Sequence, residues 1–278
     1  MPLIRLGPAG VPTVCKTRST VDGVKTVHEL GLQAMEVEFV RGVNMKQELA
    51  EEVGMVARAL GVQLSIHAPY YINLCSEDKK IVADSKKRIL DSAFLGEKMN
   101  ARIIAIHAAY YGKLTAKQAL TVLEQRFGEI LDYMKSKGWR KVKLGLETTG
   151  RVSQFGTLEE LLDLSREVDC VPYVDFAHVY ARQAGRVDYA DILDKLEPLK
   201  LKESYIHFAG MNWTPVKGTK MGNEKNHMEI GTGKPPFEPL AKELLKRRTN
   251  TTIICESPTL EQDSLVMKKI FRKLGYEF

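Results

Sequence analysis

The chain has 278 residues, 44% of them hydrophobic and 27% charged, proportions that exclude a disordered, collagen-like or membrane-embedded protein. No run approaches the roughly 18 apolar residues of a membrane span. The N-terminal MPLIRLGPAG lacks the basic-then-apolar layout of a secretory signal, so a cytoplasmic chain with no membrane partner is expected. Lys and Arg number 41 against 35 Asp and Glu, a formal charge of +6 that favours polyanionic partners through steering and counterion release.

In chain order, short β-rich runs alternate with longer amphipathic ones. A strand over Leu3–Gly7 precedes a helix over Thr20–Leu30, and a strand over Ala34–Val40 precedes a helix over Lys46–Leu60. The pattern continues with Gln63–His67 and Asp78–Met99, then Arg102–His107 and Thr115–Lys137, then Lys143–Glu147 and Leu158–Val168. It closes with Pro172–Asp175 and Tyr189–Leu196, Ser204–Phe208 and Pro239–Arg247, and Thr251–Glu256 and Leu260–Leu274. Thr115 and Thr157 stand where helix N-caps are needed.

Eight strand–helix units predict an α/β fold, a single (β/α)8 TIM barrel spanning residues 1–278 with its active site at the C-terminal ends of the strands. An open doubly wound sheet would announce itself with a Gly-rich first turn, whereas the first turn here, GPAGVPT, is not GxGxxG. The connection from Ala209 to Pro239 is too long and too rich in Gly, Pro and Lys for a plain turn, and a loop of that length after the seventh strand predicts function. The four cysteines, Cys15, Cys75, Cys170 and Cys255, form no CxxC pair and read as small buried hydrophobes.

The chemistry gathers at strand ends. His67, His107, His178 and His207 lie at or just past apolar runs, and His227 lies in the long loop. Glu147, Asp175 and Glu256 also occupy strand ends, where a carboxylate carries a large desolvation cost unless it is paired, hydrogen-bonded or bound to a cation. Imidazole and carboxylate without thiolate suit zinc, and also manganese or iron. Eight such residues are too many for one ion and enough for two or three sharing a bridging carboxylate, the arrangement of many phosphodiester-cleaving enzymes. His28, on a helix and outside every motif, reads as ordinary.

Taken in series, His67-Ala-Pro-Tyr70-Tyr71-Ile-Asn73-Leu74, Leu146-Glu147-Thr148-Thr149-Gly150, Asp175-x-x-His178 and Ile254-Cys255-Glu256 resemble the endonuclease IV family of apurinic/apyrimidinic endonucleases. The resemblance implies a first Zn2+ on His67, His107 and Glu147, and a second, bridged by Glu147, on Asp175, His207 and Glu256. A third would use His178 and His227, and Mn2+ is an alternative metal. It further implies hydrolysis of the phosphodiester 5′ to an abasic site in duplex DNA by metal-activated hydroxide, with Glu147 bridging the ions and Glu256 orienting or deprotonating the water. The abasic nucleotide would be flipped out of the duplex. Tyr70 and Tyr71 are placed to wedge into the gap, and Arg41, Lys217 and Lys220 to contact the DNA backbone. A barrel of this size is expected to act as a monomer.

Two departures stand out. The family has an aspartate two residues before the last histidine, and this chain has Lys225 in Glu224-Lys225-Asn226-His227. A protonated lysine is no ligand, which leaves a weak or empty third site, or Glu224 as substitute through a shifted loop. The family's Pro-Gly after the second metal histidine is Ala108-Ala109 here, followed by Tyr110-Tyr111, which predicts a loop of its own shape. Two rival readings remain open. Glu147, Asp175, His207 and Glu256 alone resemble the one-metal site of xylose-isomerase-like sugar isomerases and epimerases, and a barrel that lost a metal through Lys225 would be a non-catalytic binder of damaged DNA.

Overall fold

The computed structural model describes residues 1–278. One eight-stranded sheet comprises β1 (Ile4–Pro8), β2 (Ala34–Glu38), β3 (Gln63–His67), β4 (Ile103–Ile106), β5 (Lys143–Glu147), β6 (Cys170–Asp175), β7 (Ser204–Phe208) and β8 (Thr251–Cys255). Hydrogen-bonded neighbours run β1-β8-β7-β6-β5-β4-β3-β2, so every strand from β2 to β7 lies beside its successor and the first pairs in parallel with the last. This is the (β/α)8 TIM-barrel order expected from the strand–helix alternation. The helices are α1 (Thr20–Glu29), α2 (Gln47–Ala59), α3 (Lys79–Met99), α4 (Ala116–Ser136), α5 (Leu158–Glu167), α6 (Phe176–Arg182), α7 (Tyr189–Leu196), α8 (Phe237–Arg247) and α9 (Glu261–Lys273). None is long and apolar enough to cross a membrane.

Two compact units divide the chain: Met1–Met35 with Gly150–Val152 and Val174–Phe278, and Glu36–Thr149 with Ser153–Tyr173. In the first, Ile206, Phe208, Ile253 and Ile254 are fully buried, and Phe208, Phe237 and Phe271 form an edge-to-face chain with ring centroids 4.8 and 5.6 Å apart. In the second, Ile66, Ile103–Ile106, Leu144 and Leu146 make strands that are apolar on both faces, as strands covered by helices must be. Helix starts follow the threonine signals. Thr115 and Thr157 each accept a hydrogen bond from the backbone N–H three residues on, and Gln118 and Glu160 reach back to complete capping boxes.

Three connections hold structure that the hydrophobic pattern did not reveal. The Ala209–Pro239 segment, read as a loop, contains an antiparallel hairpin of Gly210–Pro215 with Gly222–Met228. Its residues are mostly polar and partly exposed, so no alternation marks them as strand. The segment carrying Tyr110 and Tyr111 contains a short strand. Ala109–Tyr110 pairs with Gln154–Phe155, and Asn73 Oδ1 accepts both the Cys75 and Tyr110 N–H groups at 3.2 Å. Helix α6 begins directly at the end of β6. All four cysteines are buried and free.

Packing in the second unit leaves no room at Gly54 on α2, where an added Cβ would lie 2.4 Å from the Met99 carbonyl oxygen at the end of α3. Alanine is the better helix former by about 1 kcal/mol, but a backbone atom cannot swing aside. Gly54→Ala is therefore expected to destabilise the protein by about 1–3 kcal/mol, read as a lower urea midpoint with an unchanged slope. A gain in stability would mean that α2 and α3 separate freely.

Candidate metal centre

In the unit formed mainly by Glu36–Thr149, two imidazoles converge on one carboxylate oxygen. Glu147 ends β5, His67 ends β3 and His107 follows β4; His67 Nε2 and His107 Nε2 lie 3.2 and 3.1 Å from Glu147 Oε2, with the rings 5.5 Å apart. His67 Nδ1–H donates to the Ala68 carbonyl at 2.8 Å, which orients the ring and leaves Nε2 facing Glu147. Burial opposes a charge on His67, but the hydrogen bond and charge of Glu147, with Glu38 and Glu36 behind it, outweigh burial and raise its pKa to about 10.

The other unit supplies the remaining candidates. Asp175 ends β6 and caps α6: its Oδ1 accepts the His178 backbone N–H at 2.8 Å, while Oδ2 lies 3.2 Å from His178 Nδ1. The cap explains why an acid and a histidine three residues apart face the same way. Asp175, His178 and His227 bring ligand atoms within 4.8 Å of one another, as do Asp175, His207 and Glu256. His207 Nδ1 is 3.5 Å from Glu256 Oε1, and His227 Nε2 is 3.8 Å from Glu256 Oε2. Burial, the largest influence, holds the His227 pKa below its usual value.

These donor sets have the chemistry of divalent-cation sites: imidazole nitrogens and carboxylate oxygens converging in buried positions, with no thiolate. All eight residues singled out in the sequence fall within such clusters. A family model described as a xylose isomerase-like TIM barrel matches residues 24–273. The chain belongs to the xylose isomerase-like TIM barrel family. It is 30% identical over 280 residues to an uncharacterized protein of Methanocaldococcus jannaschii, with 98% of each chain covered. It is also similar to the crystal structure of a D-tagatose 3-epimerase-like protein (TM-score 0.72, 16% identity, 98% of this chain and 96% of that one). Endonuclease IV from Thermus thermophilus gives a TM-score of 0.71 at 18% identity, with 98% of both chains covered. At such identities these two structures share the fold.

In this xylose isomerase-like barrel, Tyr70 and Tyr71 are 54% and 64% exposed. The Tyr70 N–H donates to the Val40 carbonyl at 3.3 Å, which ties the tyrosines to the loop that carries exposed Arg41. Lys217 and Lys220 are exposed at the turn of the 210–228 hairpin. His28 is exposed on α1 and belongs to none of these clusters.

Sequence reading passed over two sets of residues. Glu36, fully buried on β2, accepts the Ser65 and Tyr173 hydroxyls at 2.7 and 3.2 Å, and with Glu38 it adds a smaller share to the field that Glu147 sets at His67. Two glutamates alternating inside an apolar strand were the available signal. Arg151, whose Nε lies 3.0 Å from Glu224 Oε1, carried none, because an arginine in a loop looks like any solvated one.

A ligating imidazole must be neutral, so any divalent cation taken up at His67 would have to displace a proton from a group whose pKa is raised to about 10. Zinc uptake by metal-free protein at about pH 8 is expected to release that proton, and affinity is expected to climb with pH until His67 deprotonates by itself. Calorimetric titration in two buffers of different ionisation enthalpy measures the release. Identical heats in both would contradict a protonated His67.

Proposed function

We propose that this chain is a metal-dependent endonuclease that hydrolyses the phosphodiester 5′ to abasic sites in duplex DNA. The observation that carries the reading is the surplus of imidazoles. His67 and His107 gather on Glu147, while Asp175, His207 and Glu256 already form a set of their own beside His178 and His227. A one-ion sugar isomerase has no use for the first and last of these groups. We assign His67, His107 and Glu147 to one Zn2+ and Asp175, His207 and Glu256 to a second, Mn2+ being an alternative. The endonuclease IV resemblance gives Glu147 a place in both sets.

Bound cations supply Lewis acidity and lower the pKa of a water. The residues do the rest. The Glu256 carboxylate, 13% exposed and open to His207 and His227, orients the attacking water and accepts its proton. Tyr70 and Tyr71 fill the gap left by a flipped nucleotide, and Arg41, Lys217 and Lys220 hold phosphates. The +6 charge assists encounter with DNA. In this reading the enzyme is a single-domain monomer of the cytoplasm, where four unpaired cysteines are in keeping with a reducing compartment.

The test is incubation with a duplex carrying one abasic analogue. Zinc-loaded protein is expected to nick it on the 5′ side, chelator to abolish nicking, and Glu256→Gln to lower the rate by about 100-fold or more while the fold persists. No nicking under any metal condition would sink the nuclease reading. Retention of a single Mn2+ together with epimerisation of a ketose would put the sugar-epimerase reading in its place.

A further inference from the structure

An open cleft of about 590 Å³ lies at the start of β5, the end of that strand away from Glu147, between the C-terminal half of α4 and the end of α5. Its size suits a small organic ligand. None of the candidate metal ligands lines it. One residue there is out of place for a helix. Gly128 sits well inside the 21-residue α4, where glycine is the poorest helix former after proline. A Cβ added at Gly128 would meet nothing within 4 Å, so packing inside the chain does not require the glycine. Leu131, Asp132 and Lys135 follow it at the spacing of one helix face, and all four line the cleft. A bare backbone on a face that borders a cavity suits close approach by a ligand.

One wall of the cleft is aromatic and cationic. The Trp139 N–H donates to the Met134 carbonyl at 3.0 Å, and the Phe94 and Tyr133 rings flank the indole with centroids 5.6 and 6.0 Å away. The half-buried indole is thereby fixed beside the cavity. Lys135, Arg140 and Lys143 belong to the same stretch of chain, and each is exposed and outside any ion pair. Lysines on the neighbouring helix surface pair off instead, Lys86 with Glu129, Lys87 with Asp91 and Lys98 with Glu51. The wall at the end of α5 carries Glu167 and Asp169, likewise exposed and outside any ion pair. Buried Met134, Val142 and Leu144 make the floor apolar.

We propose that this cleft binds a nucleoside monophosphate. A matching ligand has a flat face for the indole, an anion for three unpaired cations, and hydroxyl donors for the carboxylates at the end of α5. Base, ribose and phosphate provide all three in one molecule. The base stacks on Trp139, the phosphate takes charge-assisted hydrogen bonds from Lys135, Arg140 and Lys143, and Glu167 or Asp169 accepts from a ribose hydroxyl. Gly128 leaves room for the ligand along α4. An aromatic acid without hydroxyls would give Glu167 and Asp169 nothing to accept. Reaction centres of such barrels lie at the opposite strand ends, so this is a binding site, and its occupancy is read separately from nicking.

Calorimetric titration of the full-length, zinc-loaded protein with AMP is the test. Saturable binding of one AMP per chain is expected, with a Kd below about 1 mM. Adenosine and inorganic phosphate are each expected to bind at least about tenfold more weakly. Gly128→Leu, which fills the cleft and favours the helix, is expected to abolish AMP binding. Arg140→Ala, at an exposed position without an ion partner, is expected to weaken AMP about tenfold and leave adenosine unchanged. Circular dichroism melts confirm that each variant folds, and Arg140→Ala decides the matter should Gly128→Leu not fold. A phosphate can also meet a bound cation, so the titration is repeated after chelation, with the same AMP affinity expected. No saturable AMP binding, binding lost with the metal, or wild-type affinity in folded Gly128→Leu or in Arg140→Ala overturns the proposal. Cleft-dependent AMP binding in a protein that never nicks abasic DNA would support it and remove only the endonuclease reading.

Discussion

Burying a carboxylate away from water costs several kcal/mol unless charge or hydrogen bonds compensate it, and that constraint organises the candidate cluster of each unit. Glu147 is 1% exposed and Asp175 is fully buried, each ending a strand whose other residues are apolar. Their surroundings answer the cost. Two imidazoles meet one oxygen of Glu147, and Asp175 offers one oxygen to the N-terminus of α6 and turns the other to His178. The helix cap uses the same acid twice: it stabilises the first turn of α6, and it orients the histidine in that turn.

A similar use of acids recurs in the first turn of α9. Glu261 accepts the N–H groups of Thr13 and Val14 together with the Thr13 hydroxyl, and Asp263 accepts the Ile230 N–H at 2.7 Å. Two carboxylates at a helix N-terminus, where the dipole favours negative charge, thus pin the loop after β1 and the segment that follows His227. The hairpin carrying Glu224 and His227 is fixed at both ends, by Asp263 on one side and by the Gly150–Val152 loop on the other. A loop that must present ligands gains precision from such anchoring, since fewer rotamers and backbone states have to be frozen when a cation binds.

Family membership and metal-type clusters restrict the chemistry without selecting the reaction. Epimerases and endonuclease IV share this barrel fold. What separates the readings in this chain is the extra pair His67 and His107, together with His178 and His227. Specificity on such a scaffold resides in the site and its loops, because the barrel itself is common to many reactions.

Much of this was legible in one dimension. Apolar runs of strand length alternating with amphipathic helices determined the barrel order, and a histidine or acid at or near the end of six of the eight runs pointed to candidate ligands, since every such run ends at the same kind of place in a parallel barrel. The threonine caps were equally plain, because capping is a contact between residues three apart. Other features depended on distant segments meeting. The hairpin at 210–228 has no hydrophobic period, and its bulge at Lys225 exists only in the register between two strands. The roles of Glu36 and Arg151 arise from partners far along the chain, Tyr173 for the first and Glu224 for the second. Sequence by itself determined which residues could bind metal. Only the tertiary structure decided that Glu224 rather than Lys225 faces His178, because side-chain direction in a hairpin is set by strand register, and one unpaired residue reverses it.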